Sequence, residues 1–337
     1  MNLKNIVIAL SLVMSTQALA SEVNVYSARK ESLIKPLLDR FTEQTGIKTN
    51  LVTAKAEELL TRLENEGRNT SADLFITVDA GNLHRAKQAG VFANINSAKL
   101  NAAIPDNLRD PEGQWVGLSK RARIIFYAKE RVKASELSTY EDLASAKWNN
   151  RICIRGSSNI YNQSLVASMI DANGAQAAQE WTNKLVQNMA RPPKGGDRDQ
   201  IKAAAAGQCD LAIANTYYYG TMLSDTKDES QLKAAQAMGV FWPNQNSRGA
   251  HVNISGAGVT KYAKNPESAV KLLEFLVNPE SQKWYAEVNY EYPVIANAET
   301  SDLLKSWGTF KADNLNLDVL GKNNAEAVRI MDRAGWK

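Results

Sequence analysis

Three consecutive tyrosines, Tyr217, Tyr218 and Tyr219, follow the run Ala212-Ile-Ala-Asn-Thr216, where a buried strand is expected to end. A further tyrosine, Tyr161, stands just past Gly156-Ser-Ser158, after a similar strand-like run, and can meet them. A phenol titrates near pH 10, so holding several as phenolates takes a strong positive charge close by. A trivalent cation supplies one. Fe3+ is a hard acid that prefers anionic oxygen, without the thiol or imidazole ligands expected at zinc or copper sites. With two histidines and two cysteines in 337 residues, the composition agrees with an oxygen-only site. Sugar binding or aromatic stacking suits the same residues, and an aromatic cluster packed at a lobe surface is the plainest alternative. Read as extended chain, the run alternates faces, so at least one phenol points into whatever lies beyond the strand end.

Other chemistry lacks its partners. Ser27-Ala-Arg-Lys30 has the Ser-x-x-Lys spacing of penicillin-binding enzymes, but no Lys-Thr-Gly occurs and Ser224-Asp-Thr226 replaces Ser-Asp-Asn. There is no Gly-x-Ser-x-Gly or His-Glu-x-x-His, and His84 and His251 are isolated from each other. Without a nucleophile–base constellation an enzyme is not expected.

The elements that must position the tyrosines alternate from the start. Strand-like Val23–Ser27 precedes a helical pattern from Glu31 to Glu43 closed by Gly46; Ile47–Val52 precedes helical Ala56–Glu66; Asp73–Val78 precedes helical Gly81–Ala89. Such alternation implies α/β architecture with a largely parallel sheet, whose ligands gather at the carboxyl ends of strands. Trp115–Tyr127 reads as one long extended segment and His251–Val259 as its return, a pair of crossover strands between two lobes. Two domains also follow from length, since a single core stops growing near roughly 250–300 residues.

Residues 1–20 carry one base, Lys4, an apolar stretch from Ile6 to Met14 and Ala18-Leu-Ala20 before Ser21, which is a secretory signal. No segment approaches the roughly 20 apolar residues of a membrane span, so the mature protein is expected to be soluble and not membrane-embedded. Losing Lys4 with the leader lowers the formal charge from +4 to +3, too mild for a nucleic-acid footprint. Cys153 and Cys209, each in a short strand-like run, are expected to form a structural disulfide in an oxidising compartment.

Several motifs, in order along the chain, carry a resemblance. They are Asn24-Val-Tyr-Ser-Ala-Arg29, Ala72-Asp-Leu-Phe-Ile-Thr-Val-Asp79, Gly117-Leu-Ser-Lys-Arg-Ala-Arg123, Ile160-Tyr-Asn162, Asn215-Thr-Tyr-Tyr-Tyr219, Gly249–Val259 and Glu291-Tyr-Pro293. The mature chain resembles the periplasmic ferric iron-binding proteins of bacterial ABC transporters, the ferric-binding and cyanobacterial iron-uptake group. The resemblance implies a two-lobed type II periplasmic binding protein fold, each lobe a mixed, mostly parallel sheet flanked by helices. The amino-terminal lobe is expected over residues 21–120 and 248–298, the carboxy-terminal lobe over 121–247 and 299–337. It further implies a monomer in the periplasm that hands Fe3+ to an iron ABC transporter permease in the inner membrane.

Carried over residue by residue, the resemblance makes Tyr161, Tyr217 and Tyr218 metal ligands and leaves Tyr219 outside the set. Many relatives have His-Tyr directly after the Ser-Ala-Arg segment, where this chain has Lys30-Glu31. Open coordination positions would then take carbonate, bicarbonate or another small anion. Arg29 is the foremost candidate to hold it, since a guanidinium makes paired hydrogen bonds to a planar oxyanion. Arg123, which with Arg121 flanks Ala122 on one face of the crossover, and Ser157, at a helix start, are further candidates. Plain alternatives stand beside each: Arg29 as a solvated helix opener, the crossover arginines as partners of acids across the hinge, Ser157 and Ser158 as a helix cap. Glu31 fits an ordinary first-turn acid, Asp79 a cap, and both histidines structural roles.

Overall fold

The structure is a computed structural model that describes residues 21–225 and 227–337; the leader expected over residues 1–20 lies outside them. The chain runs β1 (Glu22–Ser27), α1 (Lys35–Thr45), β2 (Lys48–Thr53), α2 (Ala56–Glu66), β3 (Leu74–Val78), α3 (Ala80–Gln88), α4 (Ala98–Ala103) and β4 (Val116–Ala128). It continues through β5 (Ile152–Cys153), α5 (Ile160–Asn173), α6 (Ala175–Gln187), α7 (Asp197–Ala205), β6 (Leu211–Asn215), α8 (Thr216–Ser224), α9 (Glu229–Gln236), β7 (Met238–Phe241) and β8 (Val252–Val259). Helices α10 (Pro266–Leu276), α11 (Pro279–Val288), α12 (Asp302–Ser306), α13 (Asp318–Lys322) and α14 (Asn324–Arg333) complete it.

Strand order is β2-β1-β3-β8-β4-β6-β5, with β7 also on β4. β1 pairs parallel with β2 and β3, and β8 runs antiparallel between β3 and β4. β4 belongs to two sheets: Val116–Ala122 pairs with β8, whereas Arg123–Ala128 pairs with β6 and β7. In the second sheet the parallel pair is β5–β6, and the β4 pairings are antiparallel. The expected crossovers are therefore β4 and β8, and the handover lies where Arg123 N–H donates to His251 O. The apolar faces of both sheets are fully buried, Val23, Val25, Leu74 and Ile76 in one and Ile124, Phe126, Ala212 and Ala214 in the other.

Two local expectations change. The helix expected from Glu31 splits into a 3-10 turn at Glu31–Leu33 and α1, because Pro36 has no N–H and suits only a first helical turn. The tyrosine run is not extended; it opens α8 directly after β6. Cys153 and Cys209 form a disulfide, with Cα atoms 5.9 Å apart, tying the end of β5 to the approach to β6. No helix among the described residues is long and apolar enough to cross a membrane.

Candidate metal centre

Two helix starts carry the phenols. Asn159 caps α5 by accepting the Tyr161 N–H at 3.1 Å, and Asn162 anchors the preceding loop by donating to Arg155 O and Gly156 O. Tyr161 is thus the second residue of α5. At α8, Asn215 N–H donates to Asp197 Oδ2, which fixes the point where strand turns to helix. A helix turns about 100° per residue. Tyr217 and Tyr218 therefore face the same cavity, while Tyr219, two steps on, turns inward. Its hydroxyl donates to Met238 O and its ring packs on Phe126 and Trp307. Helix amino-terminal ends are electropositive, so both phenol-bearing turns favour negative oxygen.

The Tyr161 and Tyr217 hydroxyl oxygens lie 3.3 Å apart, and the Tyr217 and Tyr218 ring centroids 4.2 Å apart. They form one wall of a cavity of about 420 Å3 that Arg29, Lys30, Arg121 and Arg198 also line. A guanidinium lies against each ring: Arg155 at 5.6 Å from the Tyr161 centroid, Arg121 at 5.5 Å from Tyr217 and Arg198 at 5.9 Å from Tyr218. Burial, and then the neighbouring Tyr218, push the Tyr161 phenol up, against the opposing hydrogen bond from Tyr217 and the charge of Arg121. Burial and the other two phenols push Tyr217 up in the same way, again opposed by Arg121. Without a cation these two are neutral; a cation between them reverses the balance.

Behind the phenols stands a buried ionic network. Glu291 Oε1 accepts from Arg121 at 2.5 Å, its Oε2 accepts from Ser119 at 2.6 Å, and Arg29 lies 3.1 Å from that same oxygen. Both guanidiniums also donate to Ser255 Oγ on β8. Burial pushes the Glu291 carboxyl up, but Arg29 and Arg121 outweigh it and hold it down to about 2. Two arginines share one carboxylate, which leaves a net positive charge next to Tyr217.

The expected anion residues separate. Arg29 lines the cavity, though tied to Glu291. Arg123 does not line it: fully buried, it binds Asp197, Asn162 and Asn215 beneath the wall. Arg121 and Arg123 thus enter different networks, because β4 changes sheets between them. Ser157 is also absent from the lining; its N–H donates to Lys337 O and its carbonyl accepts from Gln163. Lys30 and Ser32 face the cavity, whereas Glu31 is exposed and is not part of the lining. Asp79 caps α3 through Gly81 N–H. His84 bonds Asp318, and buried His251 is neutral, its imidazole pushed down to about 3 by burial and by Arg123 and Arg248. Sequence reasoning missed Arg198, which looks like any charge opening a helix, and the role of Glu291, whose only signal was the Glu291-Tyr-Pro293 motif.

Such a fold with such a cleft defines a solute-binding protein. Residues 69–316 match the bacterial extracellular solute-binding protein family, and the chain belongs to it. It is 48% identical over 316 residues to iron uptake protein A1 of Synechocystis sp. (strain ATCC 27184 / PCC 6803 / Kazusa), covering 94% of this chain and 88% of that relative. A Trichodesmium structure (IdiA, FutA) in complex with iron and citrate ligands superposes with a TM-score of 0.91 at 52% identity, over 94% of this chain and 100% of that one. The ferric binding protein from Campylobacter jejuni gives a TM-score of 0.88 at 40% identity, over 94% and 100%. The fold is that of these ferric-binding proteins, and the family is one of binders, not enzymes.

Proposed function

We propose that this protein captures ferric iron in the periplasm on the phenolates of Tyr161, Tyr217 and Tyr218. The observation that carries the reading is the convergence of these phenols, from two helix starts, on one cavity wall beside Arg121. The names of the relatives agree with iron as cargo. Residues 21–120 with 248–298 form one lobe and 121–247 with 299–337 the other, moving about β4 and β8. Closure over bound iron presents the surface that an inner-membrane ABC permease reads. A small oxyanion such as carbonate fills the positions that Lys30-Glu31 leaves without a tyrosine. Arg29, Arg121 and Arg198 are its partners in the cavity, and Arg123 and Ser157 act only by supporting the wall. A phenolate-to-iron absorption band on adding ferric citrate, together with a rise in melting temperature, is the expected result. A colourless protein whose melting ignores iron refutes it.

The size and basic lining of the cavity favour one second reading, an organic anion as the solute with the tyrosines stacking or donating. An anion that raises the melting temperature without iron, while ferric citrate leaves no colour, would select it.

A further inference from the structure

Asp79 ends β3 and opens α3 with φ 75° and ψ 129°. That ψ lies outside the left-handed helical well, so the conformation is costly for any residue with a Cβ and persists only where its surroundings impose it. The surroundings do impose it. Asp79 N–H donates to Ile254 O at 2.8 Å, and Ala80 N–H donates to Asn253 Oδ1 at 2.8 Å, both on β8. The fully buried Asp79 carboxylate accepts from Gly81 N–H at 2.9 Å and from Ser164 Oγ at 2.6 Å through the same oxygen, Oδ1.

Ser164 is on α5, three residues after Tyr161 and hence on the same side of that helix. A second contact lies beside this bond: a Cβ on Gly81 would lie 3.1 Å from Ile160 Cδ1, so the first turns of α3 and α5 pack closely there. Farther along α3, Arg85 donates to Gln163 and Asn324. The start of α5, which presents Tyr161, is therefore set against a strained turn built on β3 and β8, not only against its own sheet.

We infer that Asp79 is a positioning residue for the cargo site, fixing the first turn of α5 through Ser164 so that the Tyr161 phenol is held against Tyr217. This rests on the reading of Tyr161 as an iron ligand. Asp79 itself touches no cargo; Val78, before it, lines the cavity, and Asp79 does not. Its role is to carry the position of the β3–β8 side of the molecule to one phenol on the other side. The position of Tyr161 then depends on how the two sides sit.

The test uses the full chain loaded with ferric citrate and reads two quantities: the position of the phenolate-to-iron band and the rate of iron loss to excess EDTA. Ser164→Ala removes the bond without touching the turn; Asp79→Gly removes it while keeping a residue that accepts φ 75°. Both variants are expected to shift the band and speed iron loss about tenfold, the upper end of the usual scale for one hydrogen bond. Melting of the iron-free variants runs alongside. A Ser164→Ala protein with unchanged band and loss rate overturns the inference, whether or not its iron-free melting falls; if that variant does not fold, Asp79→Gly decides by the same criterion. A wild-type protein without any band refutes the functional reading instead, and this is seen before either variant is made.

Discussion

Glu291→Gln is the most informative single change outside the phenols. Glutamine copies the shape of the protonated acid, so the substitution asks what the buried negative charge contributes. In the native structure the carboxyl is held down to about 2, against a reference of 4.5. That difference corresponds to about 3 kcal/mol of native stability at neutral pH. The cost of breaking a buried ion pair, about 3–5 kcal/mol, agrees. The sign is that of a depressed acid: its contribution is fully present above the unfolded pKa and disappears as pH falls through the folded one. The gap between wild type and Glu291→Gln should thus be about 3 kcal/mol at pH 7 and shrink to about 1 kcal/mol by pH 3. Urea unfolding of the iron-free proteins across that range measures it. A variant as stable as wild type at pH 7, or a gap that stays constant down to pH 3, would refute the assignment of Glu291 as counter-ion to both Arg29 and Arg121.

Three further outcomes are expected. Replacing Cys153 and Cys209 by serine opens a 56-residue loop and should cost about 4 kcal/mol in urea unfolding while leaving the iron band in place. Tyr219→Phe loses the bond to Met238 O and about 1 kcal/mol of stability with no change in the band, whereas Tyr161→Phe, Tyr217→Phe and Tyr218→Phe each shift or abolish it; a Tyr219→Phe protein that loses the band would contradict the inward turn of that ring. Because burial holds Tyr161 and Tyr217 protonated without metal, iron must displace protons. Affinity against a fixed competing chelator should therefore fall by about tenfold or more per pH unit on acidification, and a pH-independent affinity would remove phenolate ligation.

The β/α alternation and both crossover strands were legible because buried strands and amphipathic helices leave clear periods in the sequence. The conformation of the tyrosine run was not. Aromatic residues favour strands, and Ala212–Thr216 reads straight into them. Asp197 and Arg123, distant in sequence, hold Asn215 where strand turns to helix. The distinction between Arg121 and Arg123 was equally hidden, since residues two apart on a strand share a face and only the change of sheet at Ala122 sends them to different partners. Asp79 was legible as a cap, but its bond to Ser164 joins residues 85 positions apart and leaves no local trace.

The central claim is most directly tested by anomalous diffraction at the iron edge from crystals of the protein grown with ferric citrate. The account predicts one strong peak within coordination distance of the hydroxyl oxygens of Tyr161, Tyr217 and Tyr218, with non-protein density toward Arg29, Arg121 or Arg198. A peak elsewhere on the chain, or a cavity filled by an organic anion without iron, would contradict it.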